Sequence, residues 1–256
     1  MKKLICIYFC LLAGPILAQT GTSADQLFYE AQALQSSYRD GEAMLKYEEI
    51  VKAKPSHYES LCELVMLKSR IAGRTPDEAK KINYYYEAKN YAMQAYELKP
   101  NSAQSNYIMA LGIGGAAQIA SARQALAFSY EMRSYLDKAL ELDPKHAGAW
   151  HLLGRWHYKI ANLGFTDVAI AKLFFGGIPK GASNQKAVEC LQKAIALNQN
   201  EITYYYDLAR VYENQNEIRS CVEVLEIASS FGVTTSDELE IQRRCRYMLK
   251  KYEYKY

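Results

Sequence analysis

The sequence predicts an all-α protein, a right-handed helical solenoid of about five helix hairpins that ends in a C-terminal capping helix. Three observations lead to this fold class. Small and aromatic residues recur at fixed offsets with a period of about 34 residues. Capping and helix-breaking residues divide the chain into segments of helical length. Pro55, Pro100 and Pro144 each close a unit just after the expected end of a helix.

The unit that begins at Ile202 carries the clearest pattern. Large, small and alanine positions recur along it at Tyr205, Leu208, Ala209, Tyr212, Cys221, Leu225 and Ala228. This spacing matches the tetratricopeptide repeat, in which small residues let two helices approach and large residues fill the gaps around them. The expected repeats lie near residues 24–57, 58–103, 105–146, 147–201 and 202–235, and the capping helix spans 236–251.

Capping signals indicate where the longer repeats place their extra residues. Thr75-Pro76-Asp77-Glu78 is predicted to be a capping box with proline at the first helical position, so the second repeat has two lengthened helices. Ser121-x-x-Gln124 predicts a similar restart in the third repeat. Thr235-x-x-Glu238 opens the capping helix, whose arginines and glutamates indicate one solvated face.

The fourth repeat contains an insert between its two helices, over residues 158–186. Gly164 is expected to end the preceding helix, Thr166 to start a short helix through Phe175, and Ser183 to cap the next one. Two interpretations remain open. The insert is either a short helix packed back on the edge of the solenoid or a flap over an apolar groove.

Residues 1–18 are predicted to be a secretory signal peptide. Lys2 and Lys3 give a basic start, the apolar run from Leu4 to Leu12 is too short to span a bilayer, and Ala18 ends a plausible cleavage site. The short basic start is typical of bacteria. We therefore expect an exported protein, periplasmic or extracellular, whose mature solenoid domain covers residues 19–256 without a transmembrane segment.

Composition and motifs argue against several functional classes. Without Lys2 and Lys3 the formal net charge falls from +3 to +1, which predicts no nucleic-acid partner. The chain has no Gly-x-Ser-x-Gly elbow, and His151 and His157 are too far apart for a helical metal pair, so we expect no catalytic residue, no metal and no cofactor.

The cysteines of the mature chain form no Cys-x-x-Cys pair. Cys62 and Cys221 stand at small-residue packing positions, which predicts buried thiols. A disulfide among Cys190, Cys221 and Cys245 remains an alternative in an oxidising compartment, and their spacing does not decide it.

Two apolar stretches are candidates for ligand binding. The helix from Tyr107 to Ala122 has almost no charge, and such a helix is either buried or lines an apolar cavity. Its Met109 and Ile113 occupy the repeat positions that are expected to face the concave side. In the insert, Phe174 and Phe175 are the candidate apolar contacts.

The corresponding concave positions of the last two repeats are polar and aromatic. They hold His151, Arg155 and Tyr158 in the fourth repeat, and Tyr206 and Arg210 in the fifth. Arg155 and Arg210 share a repeat position, so we expect them in adjacent rows. Two guanidiniums in such an arrangement could bind a carboxylate or a phosphate.

The segment His151-Leu-Leu-Gly-Arg-Trp-His-Tyr158, the insert Ala171-Lys-Leu-Phe-Phe-Gly-Gly-Ile-Pro179 and the run from Ala187 to Ala194 resemble the regulator of microtubule dynamics family. The resemblance covers roughly residues 24–250 and is most specific over 147–230. It implies an all-helical adaptor. The family is associated with microtubules and mitochondria in animals, and the repeat domain of one member binds and transfers phospholipids.

Two functions follow from these observations. The first is a non-enzymatic adaptor that recognises a protein or peptide on the concave face of the solenoid. The alternative, which the resemblance also suggests, is a carrier of a phospholipid or a fatty acid in a groove near the third and fourth repeats. The sequence determines neither the identity of the ligand nor the oligomeric state.

Overall fold

The computed structural model describes residues 23–252, in which it contains twelve α-helices and no strand. The predicted signal peptide, residues 1–18, lies outside the described residues. The helices are α1 (Ala24–Gln35), α2 (Asp40–Ala53), α3 (Tyr58–Arg74), α4 (Glu78–Leu98), α5 (Ala103–Ala116), α6 (Ala122–Leu142), α7 (Ala147–Ala161), α8 (Phe165–Phe175), α9 (Asn184–Leu197), α10 (Ile202–Asn214), α11 (Ile218–Ser229) and α12 (Ser236–Lys250).

Consecutive helices pack as hairpins, and the hairpins stack. The pairs are α1 with α2, α3 with α4, α5 with α6, α7 with α9 and α10 with α11, while α12 packs against α10 and α11. The first helices of successive hairpins also touch, because α3 contacts α5, α5 contacts α7, and α7 contacts α10. The prediction of an all-helical solenoid of hairpins with a final capping helix is confirmed.

Small residues let the helices of the fourth hairpin approach each other. A Cβ atom at Gly154 would lie 2.8 Å from Cγ of Leu191 and 3.1 Å from the carbonyl oxygen of Ala187. Ala187 is fully buried. No larger side chain fits at Gly154 without moving α9, which is the close contact that the repeat pattern predicts.

Several helix ends follow the local sequence. The hydroxyl of Ser183 accepts a hydrogen bond from the backbone N–H of Lys186, and Ser121 caps α6 in the same way through Gln124. Thr235 and Glu238 form both hydrogen bonds of a capping box at the start of α12.

The predicted capping box at Thr75 to Glu78 was wrong. Thr75 instead ends α3, and its hydroxyl donates to the carbonyl oxygen of Ile71 at 2.7 Å. The N-cap of α4 is Asp77, which accepts from the N–H of Lys80 at 3.1 Å. Thr75 is extended, as the residue before a proline prefers to be, so the new helix begins after Pro76.

The orientation of α5 also differs from the prediction. A Cβ atom at Gly112 would lie 2.8 Å from Cβ of Ala92, so Gly112 faces α4 of the preceding hairpin. Met109 and Ile113 are consequently buried in the core and do not lie on an exposed concave surface. Glycines and alanines on both faces of α5 allow either orientation, and close packing on α4 selects this one.

The first and last parts of the solenoid touch. The Tyr38 hydroxyl, between α1 and α2, donates to the carbonyl oxygen of Val233 at 2.8 Å. The Ser236 hydroxyl donates back to the carbonyl oxygen of Tyr38 at 3.2 Å. The array of hairpins therefore curves until α12 reaches the first hairpin.

The cysteines of the described residues are all buried free thiols, so no disulfide joins Cys190, Cys221 and Cys245. Burial raises the pKa of Cys190 and of Cys221 to about 11. These thiols behave as small apolar packing residues.

Candidate functional site

The polar residues of the fourth and fifth hairpins meet at Asp207 of α10, a residue that sequence reasoning missed. The Asp207 carboxylate lies 2.8 Å from His151 Nε2, 3.5 Å from Arg155 Nε and 3.4 Å from Arg210 Nη1. We call these four residues the Asp207 cluster. It joins α7 to α10, the first helices of two successive hairpins.

The electrostatics of the cluster favour an ionised carboxylate. Burial of Asp207 opposes ionisation, but Arg155, His151 and Arg210 outweigh it and hold the pKa of Asp207 well below its usual range. The two guanidiniums and the carboxylate together carry one net positive charge. The cluster is therefore an anion-attracting site whose cations are already held in place.

The members of the cluster differ in accessibility. His151 is buried, and its ring centroid lies 4.6 Å from that of Tyr204, so it supports Asp207 from inside. The side chains of Arg155 and Arg210 are each 45% exposed. A guanidinium has five N–H donors, so each arginine keeps donors for a ligand after it has contacted Asp207.

Two of the predicted tyrosines flank Arg210. Its guanidinium carbon lies 5.8 Å from the ring centroid of Tyr158 and 5.9 Å from that of Tyr206. Both distances allow a cation–π interaction. The structure thus brings His151, Arg155 and Arg210 together around one carboxylate and places Tyr158 and Tyr206 beside Arg210.

A cavity of about 510 Å³, the α10–α12 cavity, opens beside Arg210 between α10 and α12. Four of its lining residues are cationic, one is acidic and two are tyrosines. The lining comprises Tyr206, Arg210, Glu213, Arg243, Arg244, Tyr247, Met248 and Lys251. The sequence predicts a solvated face for α12, and the pair Arg243-Arg244 close to Tyr247 is the signal in the sequence that indicates a binding surface instead.

The cations of the α10–α12 cavity are unequally neutralised. Arg244 pairs with Glu240 at 2.9 Å, and Lys251 pairs with Glu213 at 3.2 Å. Arg243 is exposed and has no carboxylate within 4 Å among residues 23–252. The excess of positive charge in this cavity therefore centres on Arg243 and Arg210.

The insert places Phe174 and Phe175 elsewhere, against α6. The rings of Phe175 and Tyr130 stack with centroids 5.4 Å apart, and the Tyr130 hydroxyl donates to the carbonyl oxygen of Gly177 at 2.6 Å. The guanidinium carbon of Arg123 lies 4.2 Å from the ring centroid of Phe174. The insert is therefore a short helix packed back on the solenoid, the first of the two interpretations.

The charge-poor helix contributes little to a cavity. A second, smaller cavity of about 360 Å³ lies at one end of α4 and α5, and from the stretch 107–122 it takes Gln118 and Ile119. Glu78 and Lys81 share its lining, so it has no continuous apolar wall. Neither Met109 nor Ile113 reaches it.

Residues 23–252 hold no group of three or more histidine, cysteine, aspartate or glutamate side chains arranged to bind a metal ion. Over the same range, none of the helices combines the length and the apolar character that crossing a membrane requires.

Comparison with known proteins identifies relatives over nearly the whole chain. The family model described as regulator of microtubule dynamics protein 1-3 matches residues 22–253. Regulator of microtubule dynamics protein 1 of Mus musculus is 27% identical over 220 residues, which are 83% of this chain and 70% of that protein. The Caenorhabditis elegans protein of the same name is 23% identical over 206 residues, 79% of this chain and 91% of its own.

A solved structure supports the fold. The crystal structure of a thermophilic tetratricopeptide-repeat protein of Thermus thermophilus superposes with a TM-score of 0.64. The match covers 89% of this chain and 100% of that one at 14% identity. At this identity the likeness concerns the solenoid fold alone.

Proposed function

The chain belongs to the regulator of microtubule dynamics family, and we propose that it is a non-enzymatic adaptor that binds a segment of a partner protein on the concave face of its solenoid. In such a solenoid the first helices of the hairpins line this face. The observation that carries the proposal is the Asp207 cluster, whose Arg210 also lines the α10–α12 cavity.

The chemistry of this site favours an anionic segment. Arg155, Arg210 and Arg243 offer exposed guanidinium groups, which match the planar geometry of a carboxylate or a phosphate. Tyr206 and Tyr247 offer apolar contact area with polar tips at low entropic cost. A cavity of about 510 Å³ has room for a few side chains of a peptide.

Asp207 contributes by organising the site before a ligand arrives. It removes one unit of positive charge, but its contacts with Arg155 and Arg210 restrict the directions in which these long side chains point. A ligand then loses less free energy in ordering them. His151, buried behind Asp207, holds the carboxylate in place.

The alternative function, a carrier of phospholipid or fatty acid, has less support from the described residues. Its expected walls, Met109 and Ile113, are buried in the core. Mass spectrometry of organic extracts from the purified protein distinguishes the two functions. A co-purifying lipid in stoichiometric amount would favour the carrier, and an empty extract together with peptide binding would favour the adaptor.

Fluorescence polarisation with labelled peptides tests the adaptor. We expect aspartate-rich, glutamate-rich or phosphoserine peptides to bind saturably and lysine-rich peptides to fail. Because a charged hydrogen bond contributes about 1.5–3 kcal/mol, R243A and R210A should each weaken binding about tenfold or more. R243A is the cleaner variant, since Arg210 also contacts Asp207.

The matched control is R219A. Arg219 is 92% exposed and pairs with Glu223 of the same helix, α11. This variant should bind the peptides like the unaltered protein. Equal losses of affinity in R219A and R243A would contradict a defined site. If no anionic peptide bound saturably, the proposed function would be contradicted.

We also propose that the protein is exported, on the evidence of the basic and apolar start of the chain. N-terminal sequencing of the protein from its native cell should find a chain that begins near Gln19. A full-length chain recovered from the cytosol would refute this.

A further inference from the structure

The short helix α8 exposes a row of large apolar side chains. Phe165 is 90% exposed and Leu173 is 76% exposed, and the row continues through the exposed Phe174 and Ile178. Phe165, Ala169 and Leu173 are spaced four residues apart, so they share one face of the helix. We call Phe165, Leu173, Phe174 and Ile178 the α8 ridge.

The exposure of the ridge is unusual for this composition. Apart from Asp167 and Lys172, α8 has no charged residue, and an apolar helix is normally covered on all sides. Ala171 is its single fully buried residue. Clustered exposed apolar side chains mark a surface that binds something, whereas single ones do not.

The ridge is held in place by the opposite side of the insert. Tyr130 of α6 stacks on Phe175 and donates a hydrogen bond to Gly177. Gly176 and Gly177 have φ angles of +73° and +126°, which favour glycine and turn the chain sharply after α8. The ridge is therefore an exposed edge of the insert, within which Phe174 also lies 4.2 Å from the guanidinium carbon of Arg123 in α6.

The charge around the ridge has one dominant sign. From Gly164 to Lys186 the chain carries three lysines, all exposed, against one acidic residue, Asp167. None of Lys172, Lys180 and Lys186 has an ion-pair partner among residues 23–252. A protein interface is usually rimmed by polar groups of mixed character. With Arg123 of α6 also 4.2 Å from the ring of Phe174, the surroundings of this apolar edge carry a net positive charge, which is typical of binding to an anionic bilayer.

We propose that the α8 ridge docks on the surface of an anionic lipid bilayer. Phe165, Leu173 and Phe174 enter the boundary between head groups and acyl chains, while Lys172 and Lys180 contact lipid phosphates. This surface is formed by the insert and not by the Asp207 cluster, so docking on a membrane is separate from peptide binding.

Co-sedimentation with vesicles tests the proposal. Vesicles of phosphatidylcholine with phosphatidylglycerol should retain the protein, and vesicles of phosphatidylcholine alone should retain much less. The double variant F165S/L173S should lower the partition coefficient about tenfold or more, because two large apolar side chains no longer leave water. K172E/K180E should reduce binding to the anionic vesicles and remove most of its salt dependence.

A matched control uses exposed apolar residues of the first hairpin. Tyr29 and Leu45 are 70% and 61% exposed, so Y29S/L45S removes similar surface from elsewhere. We expect this variant to bind vesicles like the unaltered protein. Equal losses in the control and in F165S/L173S would overturn the proposal, and so would equal retention by both vesicle types.

A fluorescent label reports insertion directly. In L173C, labelled with an environment-sensitive dye, emission should shift to the blue when anionic vesicles are added, whereas Y29C should show no shift. In a chain that begins at Gln19, the native thiols are Cys62, Cys190, Cys221 and Cys245, and these should remain unlabelled because they are buried. No shift at position 173 would refute docking. A dimer in solution that L173S converts to a monomer, without vesicle binding, would identify the ridge as an interface between copies and likewise overturn it.

Discussion

Helices α5 and α8 are both nearly free of charge, yet most of α5 is buried and most of α8 is exposed. The difference arises from their neighbours. α5 lies between α4 and α6 and uses Gly112 to approach α4, whereas α8 contacts α6 on one side. An apolar composition therefore favours burial of a helix, but the helix is buried on both sides only where a second element packs against it.

The largest expected effect comes from placing the same charge in both helices. I113E puts a carboxylate in a fully buried position and should reduce the free energy of unfolding by about 3–5 kcal/mol, because the charge has no partner there. L173E should change it by less than about 0.5 kcal/mol, because Leu173 lies in water.

Urea denaturation followed by circular dichroism measures both variants of this pair. If I113E were as stable as L173E, the buried position of α5 would be wrong, and the comparison between the two helices would lose its basis.

A smaller effect is expected from adding one methyl group at a glycine. In G112A the new Cβ would lie 2.8 Å from Cβ of Ala92 and 3.2 Å from the Cα of Lys89, so the variant should lose about 1–3 kcal/mol of stability through overpacking. In G164A, at the N-cap of α8, the new atom meets nothing within 4 Å, and the loss should be less than about 1 kcal/mol, because alanine is only a poorer N-cap than glycine.

Melting temperatures of the two glycine variants provide the test. The G112A protein should melt several degrees below the G164A protein. A reversed order would show that α5 does not pack on α4 as closely as the structure indicates.

The third prediction concerns acid and the buried core beside the insert. Burial, together with the nearby charges of Arg133 and Lys186, lowers the pKa of His157 in α7 to about 4. The unfolded chain therefore binds this proton near pH 6.5 and the folded chain near pH 4. Stability should fall by about 1–2 kcal/mol as the pH drops from 7 to 5.

Denaturant titrations at the two pH values measure this loss, and H157F is the control. The phenylalanine variant should lose much less stability over the same pH range, since it has no proton to bind at that site. An equal loss in both proteins would assign the acid sensitivity to other groups. Because the exposed α8 ridge itself contains no titratable residue, this acid effect belongs to the core and not to the ridge.

Local signals in the sequence predict the class of fold and most helix boundaries. Ser121, Ser183 and the Thr235–Glu238 pair predicted helix starts that the structure contains. These signals are local, because a cap satisfies backbone groups within three or four residues of itself. The same locality explains the error at Thr75, where two overlapping start signals competed and Asp77 provided the cap.

The candidate site was predictable in part. Arg155 and Arg210 could be placed on the same face from their shared repeat position, but Asp207 resembled an ordinary solvated carboxylate. Its role depends on the contact between α7 and α10, which brings His151 to an acid that is 56 residues further along the chain. The residues of α12 that line the cavity were likewise interpreted as solvent-facing, since one helix alone does not indicate what lies opposite.

The remaining features depend on how the helices pack together. It determined which face of α5 is buried, which apolar helix remains exposed, and that Tyr38 meets Val233 across 195 residues of sequence. Backbone hydrogen bonds and caps within a helix depend on residues that are close in the chain, so they can be predicted from the sequence. Contacts between helices depend on side-chain volumes and on the curvature that accumulates over all the hairpins, and these are settled when the helices pack together.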